Sequence, residues 1–178
     1  TIKDATEKKY ITYFTSSNDE YKFTYEKPIN QSKIIKELLD VDFGKYELKI
    51  RVHPNTINKD ISVRRYWKRI ESMNPDVIIN YDNNRSSYEL CKNSLFTISI
   101  GSSIAAESII LDTPHILIGN QNWYYNFPGY IKISENNFNE FIKSKLRNYS
   151  YFLDYKIDKK EKKLAASSQL FLKLIGER

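Results

Sequence analysis

The sequence predicts an α/β fold: a parallel sheet covered by helices on both faces. Three observations carry that expectation. Short apolar, β-branched runs alternate with amphipathic stretches of about a dozen residues, which is the pattern of strand–helix–strand units. A polar cluster follows each of five runs: Thr15–Asn18, His53–Asn55, Asn80–Asn84, Gly101–Ser103 and Asn120–Tyr124. In a parallel sheet such clusters share one edge, the carboxyl ends of the strands, where open α/β sheets bind their ligands. Finally, Ile98–Gly119 reads as strand end, tight turn, helix, short turn and strand.

Taken in order, Tyr10–Phe14 predicts a first strand, with Thr15–Asn18, Asp19 and Glu20 in the loop behind it. Residues 21 to 30 are aromatic, charged and irregular, and read as a long loop with room for a short helix. Gln31–Leu39 has helical spacing through Ile34, Ile35 and Leu38. Tyr46–Val52 predicts a second strand, ending at His53-Pro54-Asn55. Asp60–Ser72 predicts an amphipathic helix with Ile61, Tyr66 or Trp67, and Ile70 facing inward. Val77–Ile79 is a third strand, and Ser86 or Ser87 caps a short helix through Leu90 and Cys91. Leu95–Ile100 is a buried strand, Gly101 turns the chain, and Ser102 or Ser103 caps the next helix, which Pro114 is expected to stop before Ile116–Ile118. Tyr130–Ile133 is a last strand, Glu135–Leu146 a helix, and Asp158–Ile175 a basic helix.

Composition narrows the class. The 178 residues suffice for one domain with a sizeable core but are short for two; residues 1–155 are expected to form it, with 156–178 a basic helix packed on it or on a missing domain. Apolar residues make up 40% and charged residues 28%, which favours a globular chain over a disordered one. The chain opens on Thr1 and its one methionine is Met73, so a fragment or processed chain is expected. Cys91 is the lone cysteine, which excludes an internal disulfide and fits a reducing, cytoplasmic compartment. The net charge of +6 suits an anionic ligand or a membrane surface. The lysines of residues 156–173 sit among leucines, a pattern that fits the inner face of an anionic membrane or a domain-spanning helix. Two distant histidines and one cysteine make no metal constellation, and no Gly-x-Gly-x-x-Gly or Walker sequence is present.

The candidate residues follow from the edge. The Gly101–Ser103 turn would offer backbone N–H groups and two hydroxyls to a phosphate, although serines at a helix start also serve simply as caps. Glu107 lies one helical turn beyond Ser103, where a sugar hydroxyl would suit it; a solvated carboxylate is the plainer reading. His53 ends a strand before Pro54 and can present a cationic or hydrogen-bonding imidazole, or pack against its own loop. Arg51 shares its strand face and could add a second positive charge. Asn120, Trp123 and Tyr124 could hydrogen-bond or stack on a base. Asp19 and Glu20 could serve an acceptor. His115, at the start of a strand, reads as structural.

These residues resemble a family. Ile11–Glu20, Arg51-Val52-His53-Pro54, the run from Ser102-Ser103 through Glu107 to Pro114, and Asn122–Tyr125 together are similar to the C-terminal, nucleotide-sugar-binding half of a GT-B glycosyltransferase, as in bacterial capsule and surface-polysaccharide biosynthesis proteins, Kdo transferases among them. The resemblance implies a Rossmann-like parallel sheet, one half of a GT-B fold. It implies donor phosphate at Ser102 and Ser103, with Ser16, Ser17 and Gly101 beside them, ribose hydroxyls at Glu107, and the leaving phosphate at His53 as the catalytic group. Asn80 and Asp82 would lie near the base. The donor would be a CMP- or UDP-linked sugar acting as substrate, with no separate cofactor, metal or nucleic acid. The acceptor would be a glycan or glycolipid held by an N-terminal domain absent here, so the fragment alone would be inactive. Asp112 stands where the family commonly has glycine. A UDP-sugar 2-epimerase-like domain, or a non-catalytic scaffold in polysaccharide assembly, remain alternatives.

Overall fold

The strands Tyr10–Phe14 (β1), Glu47–Arg51 (β2), Ile78–Asn80 (β3), Ser94–Ser99 (β4), His115–Ile118 (β5) and Tyr130–Ile133 (β6) pair into one sheet in the order β3-β2-β1-β4-β5-β6. Every pairing is parallel. The computed structural model of the chain describes residues 10–17, 29–57, 61–74, 77–80, 86–119, 129–146 and 149–176. The helices among them are Gln31–Leu39 (α1), Pro54–Ile57 (α2), Ile61–Met73 (α3), Ser87–Asn93 (α4), Ile104–Ile110 (α5), Phe138–Leu146 (α6, after a 3-10 turn at Glu135–Asn137), Ser150–Leu153 (α7) and Lys159–Gly176 (α8). The α/β class and the parallel, Rossmann-like sheet read from the sequence are therefore present.

Side chains alternate across each strand, and the two faces differ in chemistry. One face is apolar. Ile11 and Tyr13 of β1, Leu48 and Ile50 of β2, and Phe96 and Ile98 of β4 pack there against Ile34, Ile35 and Leu38 of α1, Trp67 of α3, Phe138 and Ile142 of α6, and Phe152 of α7. The Phe96 and Phe152 rings stack with centroids 4.0 Å apart. The other face is mixed. Phe14 meets Leu90 and Cys91 of α4 and Ile104 of α5, while Leu117 and Tyr130 meet Ala105, Ala106 and Ile109 of α5 and Ala165 of α8. Alanines at that crossing let α5 and α8 approach closely. Between these patches the same face buries Thr12, Thr97, Ser99 and His115.

Two local expectations are corrected. In α3 the inward stripe is Val63, Trp67 and Ile70, spaced i, i+4 and i+7; Ile61 is 65% exposed. Ile61 lies two residues before Val63, about 200° round the helix, so it cannot share that stripe. Helix α5 ends at Ile110, well before Pro114. Asp112 takes a left-handed φ of 59°. Its N–H reaches the Ile109 carbonyl and that of Thr113 the Ser108 carbonyl at 2.9 Å, the pair of bonds that closes a Schellman motif. The turn stops the helix, and Pro114 only begins the next segment. Aspartate fills the position usually given to glycine, and its carboxylate pairs with Lys162 of α8. No described helix is long and apolar enough to cross a membrane.

Candidate functional site

The strand order reverses between β1 and β4: β2 and β3 lie on one side, β5 and β6 on the other. Loops leaving the carboxyl ends at such a reversal run in opposite directions and open a crevice. The register fixes its scale. Arg51 of β2 lies opposite Phe14 of β1, which lies opposite Ser99 of β4. With strands about 4.8 Å apart, the exits of β2 and β4 stand roughly 10 Å from each other at one height. Asn80 pairs with Arg51 and extends the row by one strand.

Hydrogen bonds tie three of these exits together. The Thr15 N–H donates to the Arg51 carbonyl at 3.0 Å, and the His53 N–H donates to Thr15 Oγ1 at 2.8 Å, joining β1 to β2. Ser16 Oγ donates to the Ile100 carbonyl at 3.1 Å, joining β1 to β4 across the reversal. Gln31, the first residue of α1, grips the same loop: its Oε1 accepts from the Ser16 N–H at 2.9 Å and from the Tyr13 hydroxyl at 3.2 Å, and its Nε2 donates to the Ser16 carbonyl at 3.3 Å. Sequence reasoning gave Gln31 no role. The only available signal was its place directly after Asn30, whose side chain caps α1 by accepting from the Lys33 N–H.

The predicted residues fall on this edge as follows. Ser16 and Ser17 are buried. The single hydroxyl proton of Ser16 goes to Ile100, so here it holds the loop. Arg51 is buried and His53 half-buried. Gly101 turns with a φ of 76°, a backbone conformation that favours glycine. Ser102 is half-buried, and its Oγ accepts from the Ile104 N–H at 3.4 Å. Ser103 is exposed; it occupies the cap position in helical conformation and makes no side-chain capping bond. Glu107 is half-buried in the first turn of α5. Asn80 ends β3. Asp19, Glu20, Asp82, Asn120, Trp123 and Tyr124 lie outside the described residues. Among the described residues, no group of three His, Cys, Asp or Glu side chains could hold a metal ion.

Beneath the crevice runs a buried chain of hydroxyls that the sequence did not reveal. Ser108 Oγ donates to the Ile104 carbonyl at 2.9 Å, and Thr97 Oγ1 donates to Ser108 Oγ at 2.8 Å. With its proton spent, Thr97 Oγ1 accepts from His115 Nδ1 at 2.7 Å, and Nε2 is left to accept from Ser99 Oγ at 3.0 Å. His115 is fully buried, and desolvation pushes its pKa down to about 3. It is a neutral, structural histidine. It links the end of β4 to the first turn of α5, the two segments that flank Gly101–Ser103.

No protein-family model matches the sequence, and no curated protein matches it. Solved structures do. UDP-GlcNAc 2-epimerase from Methanocaldococcus jannaschii aligns over 92% of this chain and 46% of its own, with a TM-score of 0.56 and 13% identity. TarM aligns over 96% of this chain and 35% of its own, with a TM-score of 0.58 and 14% identity. The β-Kdo 2,4 transferase KpsC of Thermosulfurimonas dismutans aligns over 70% of this chain and 38% of its own, with a TM-score of 0.47 and 14% identity. The likeness is one of fold, and the chain spans less than half the length of each of these proteins.

Proposed function

We propose that the chain is the nucleotide-sugar-binding half of a glycosyltransferase, with the donor lying across the β1/β4 crevice. The observation that carries this reading is the reversal of strand order at a carboxyl edge whose exits are tied together by Ser16, Thr15 and their carbonyl partners. A crevice roughly 10 Å across suits a nucleotide diphosphate or monophosphate and its sugar. The fold shared with solved glycosyltransferases supports the same reading.

In this proposal the Gly101 and Ser102 backbone and the Ser102 and Ser103 hydroxyls meet the donor phosphate. Glu107 takes the ribose hydroxyls. His53, with Arg51 behind it, stabilises the negative charge that grows on the departing phosphate as the glycosidic bond breaks. Asn80 and Asp82 would flank the base, and Asn120, Trp123 and Tyr124 would close over base or sugar. The donor is CMP- or UDP-linked. The acceptor, a glycan or glycolipid, would be brought by another part of a longer protein, so this chain by itself should bind donor without transferring sugar.

A thermal-shift panel of CMP, UDP, GDP and ADP tests the reading. A nucleotide present at a hundred times its dissociation constant adds about 2.7 kcal/mol of stability. Stabilisation by a pyrimidine nucleotide that Glu107→Ala abolishes is the expected result; no shift with any of the four contradicts it. A second reading, an epimerase acting on a UDP-sugar, is favoured by the alignment of the epimerase over 92% of this chain. Product analysis with the longer protein separates them: a new glycosidic linkage for the first, an inverted sugar carbon for the second.

A further inference from the structure

We propose that the outward face of α3 docks on an anionic lipid bilayer. The buried side of this helix is spent on Val63, Trp67 and Ile70. Its opposite side carries Arg65, Lys68 and Arg69, all exposed and spaced i, i+3 and i+4. Like charges at that spacing repel, so the cluster costs the isolated helix a little stability. None of the three has an ion pair among the described residues.

The i, i+4 row through Arg65 and Arg69 has a large exposed apolar residue at each end: Ile61, 65% exposed, on the outward side, and Met73, 68% exposed, about 120° further round at its flank. They stand at the two ends of the helix, about 18 Å apart along its axis. A basic stretch bracketed by exposed apolar side chains matches a bilayer surface. The cations meet lipid phosphates while Ile61 and Met73 enter between the headgroups. A nucleic acid would engage the cations but would give Ile61 and Met73 nothing to enter.

The basic helix α8 does not share this surface. It packs through Ala165 on the face of the sheet opposite to α3, so one flat membrane cannot touch both. Its lysines are also interleaved with acids: Lys162 pairs with Asp112, and Glu161 and Asp158 lie beside the others. That makes α8 a charge-matched control. The inference stands apart from the proposed reaction, since it uses no residue of the crevice.

The test is co-sedimentation of the whole chain with phosphatidylcholine vesicles made with and without phosphatidylglycerol. Binding is expected only to the anionic vesicles and should weaken as salt rises. Arg65→Gln/Lys68→Gln/Arg69→Gln should lower the partition coefficient by about a hundredfold. Ile61→Ser/Met73→Ser, which keeps every charge, should lower it about tenfold. Lys159→Gln/Lys160→Gln/Lys163→Gln should leave it unchanged. All substituted residues are exposed, and unchanged circular dichroism and melting temperature confirm that the fold is kept. The proposal is overturned if anionic vesicles do not bind the chain at low salt, if the α3 and α8 triple variants lose equally, or if Ile61→Ser/Met73→Ser binds as the parent does. This last result would show attraction by charge alone, with no entry of Ile61 and Met73 between the headgroups.

Discussion

Ser16 Oγ donates to the Ile100 carbonyl at 3.1 Å, a bond between residues 84 positions apart that closes the β1 and β4 exits onto each other. Both partners are buried, so removing the hydroxyl takes a hydrogen bond out of the interior. Ser16→Ala should therefore lower stability by about 1–2 kcal/mol in urea denaturation. Nucleotide affinity should fall with it, because the crevice loses its tie. A variant as stable as the parent would show that the bond contributes nothing.

His115 supplies a pH signature. Its pKa in the fold is about 3, against an ordinary value of 6.5. Between these values the unfolded chain binds a proton that the folded chain refuses, so the unfolded state gains as pH falls. The stability that His115 contributes is complete above pH 6.5 and is lost progressively on the way down towards 3. His115→Gln lacks this term. The stability gap between parent and variant should be largest near neutrality and narrow on acidification. A gap that stays constant from neutral to mildly acidic pH would contradict the buried, neutral assignment.

Asp112 separates backbone strain from charge pairing. A left-handed non-glycine residue costs of order 1 kcal/mol, while an exposed ion pair contributes less than that. Asp112 keeps 62% of its side chain exposed, so the Lys162 pair falls in the exposed class. Asp112→Gly should thus be neutral to slightly stabilising, and Asp112→Ala about 1 kcal/mol less stable than Asp112→Gly. Lys162→Gln measures the pair by itself. Equal stabilities for the glycine and alanine variants would mean that the left-handed turn carries no cost.

Much of the sheet was legible because its signals are local. Apolar β-branched runs such as Thr97–Ile100 and polar breaks such as Gly101–Ser103 announce themselves within a few residues. The carboxyl edge followed from parallelism alone. What escaped was long-range. Gln31 is an ordinary first-turn residue until the fold brings Ser16 to it, and His115 is an isolated histidine until Ser99 and Thr97 close on its two nitrogens. Local reasoning also misjudged Ile61, where two neighbouring stripes could each begin α3 and only the packing of Trp67 chooses between them. Pro114 misled for a related reason: it is a strong breaker, but the Schellman bonds at Asp112 had already ended the helix.

The claim on which the functional account rests is that nucleotide binds at the carboxyl edge between β1 and β4. Titrating the isotope-labelled chain with CMP and UDP while following backbone amide resonances tests it directly. The account predicts saturable shifts concentrated at Ser16–Ser17, Arg51–His53 and Gly101–Ser103, with the opposite edge at Glu47 and Ser94 unmoved. Shifts centred on that opposite edge, or none at millimolar nucleotide, would contradict it.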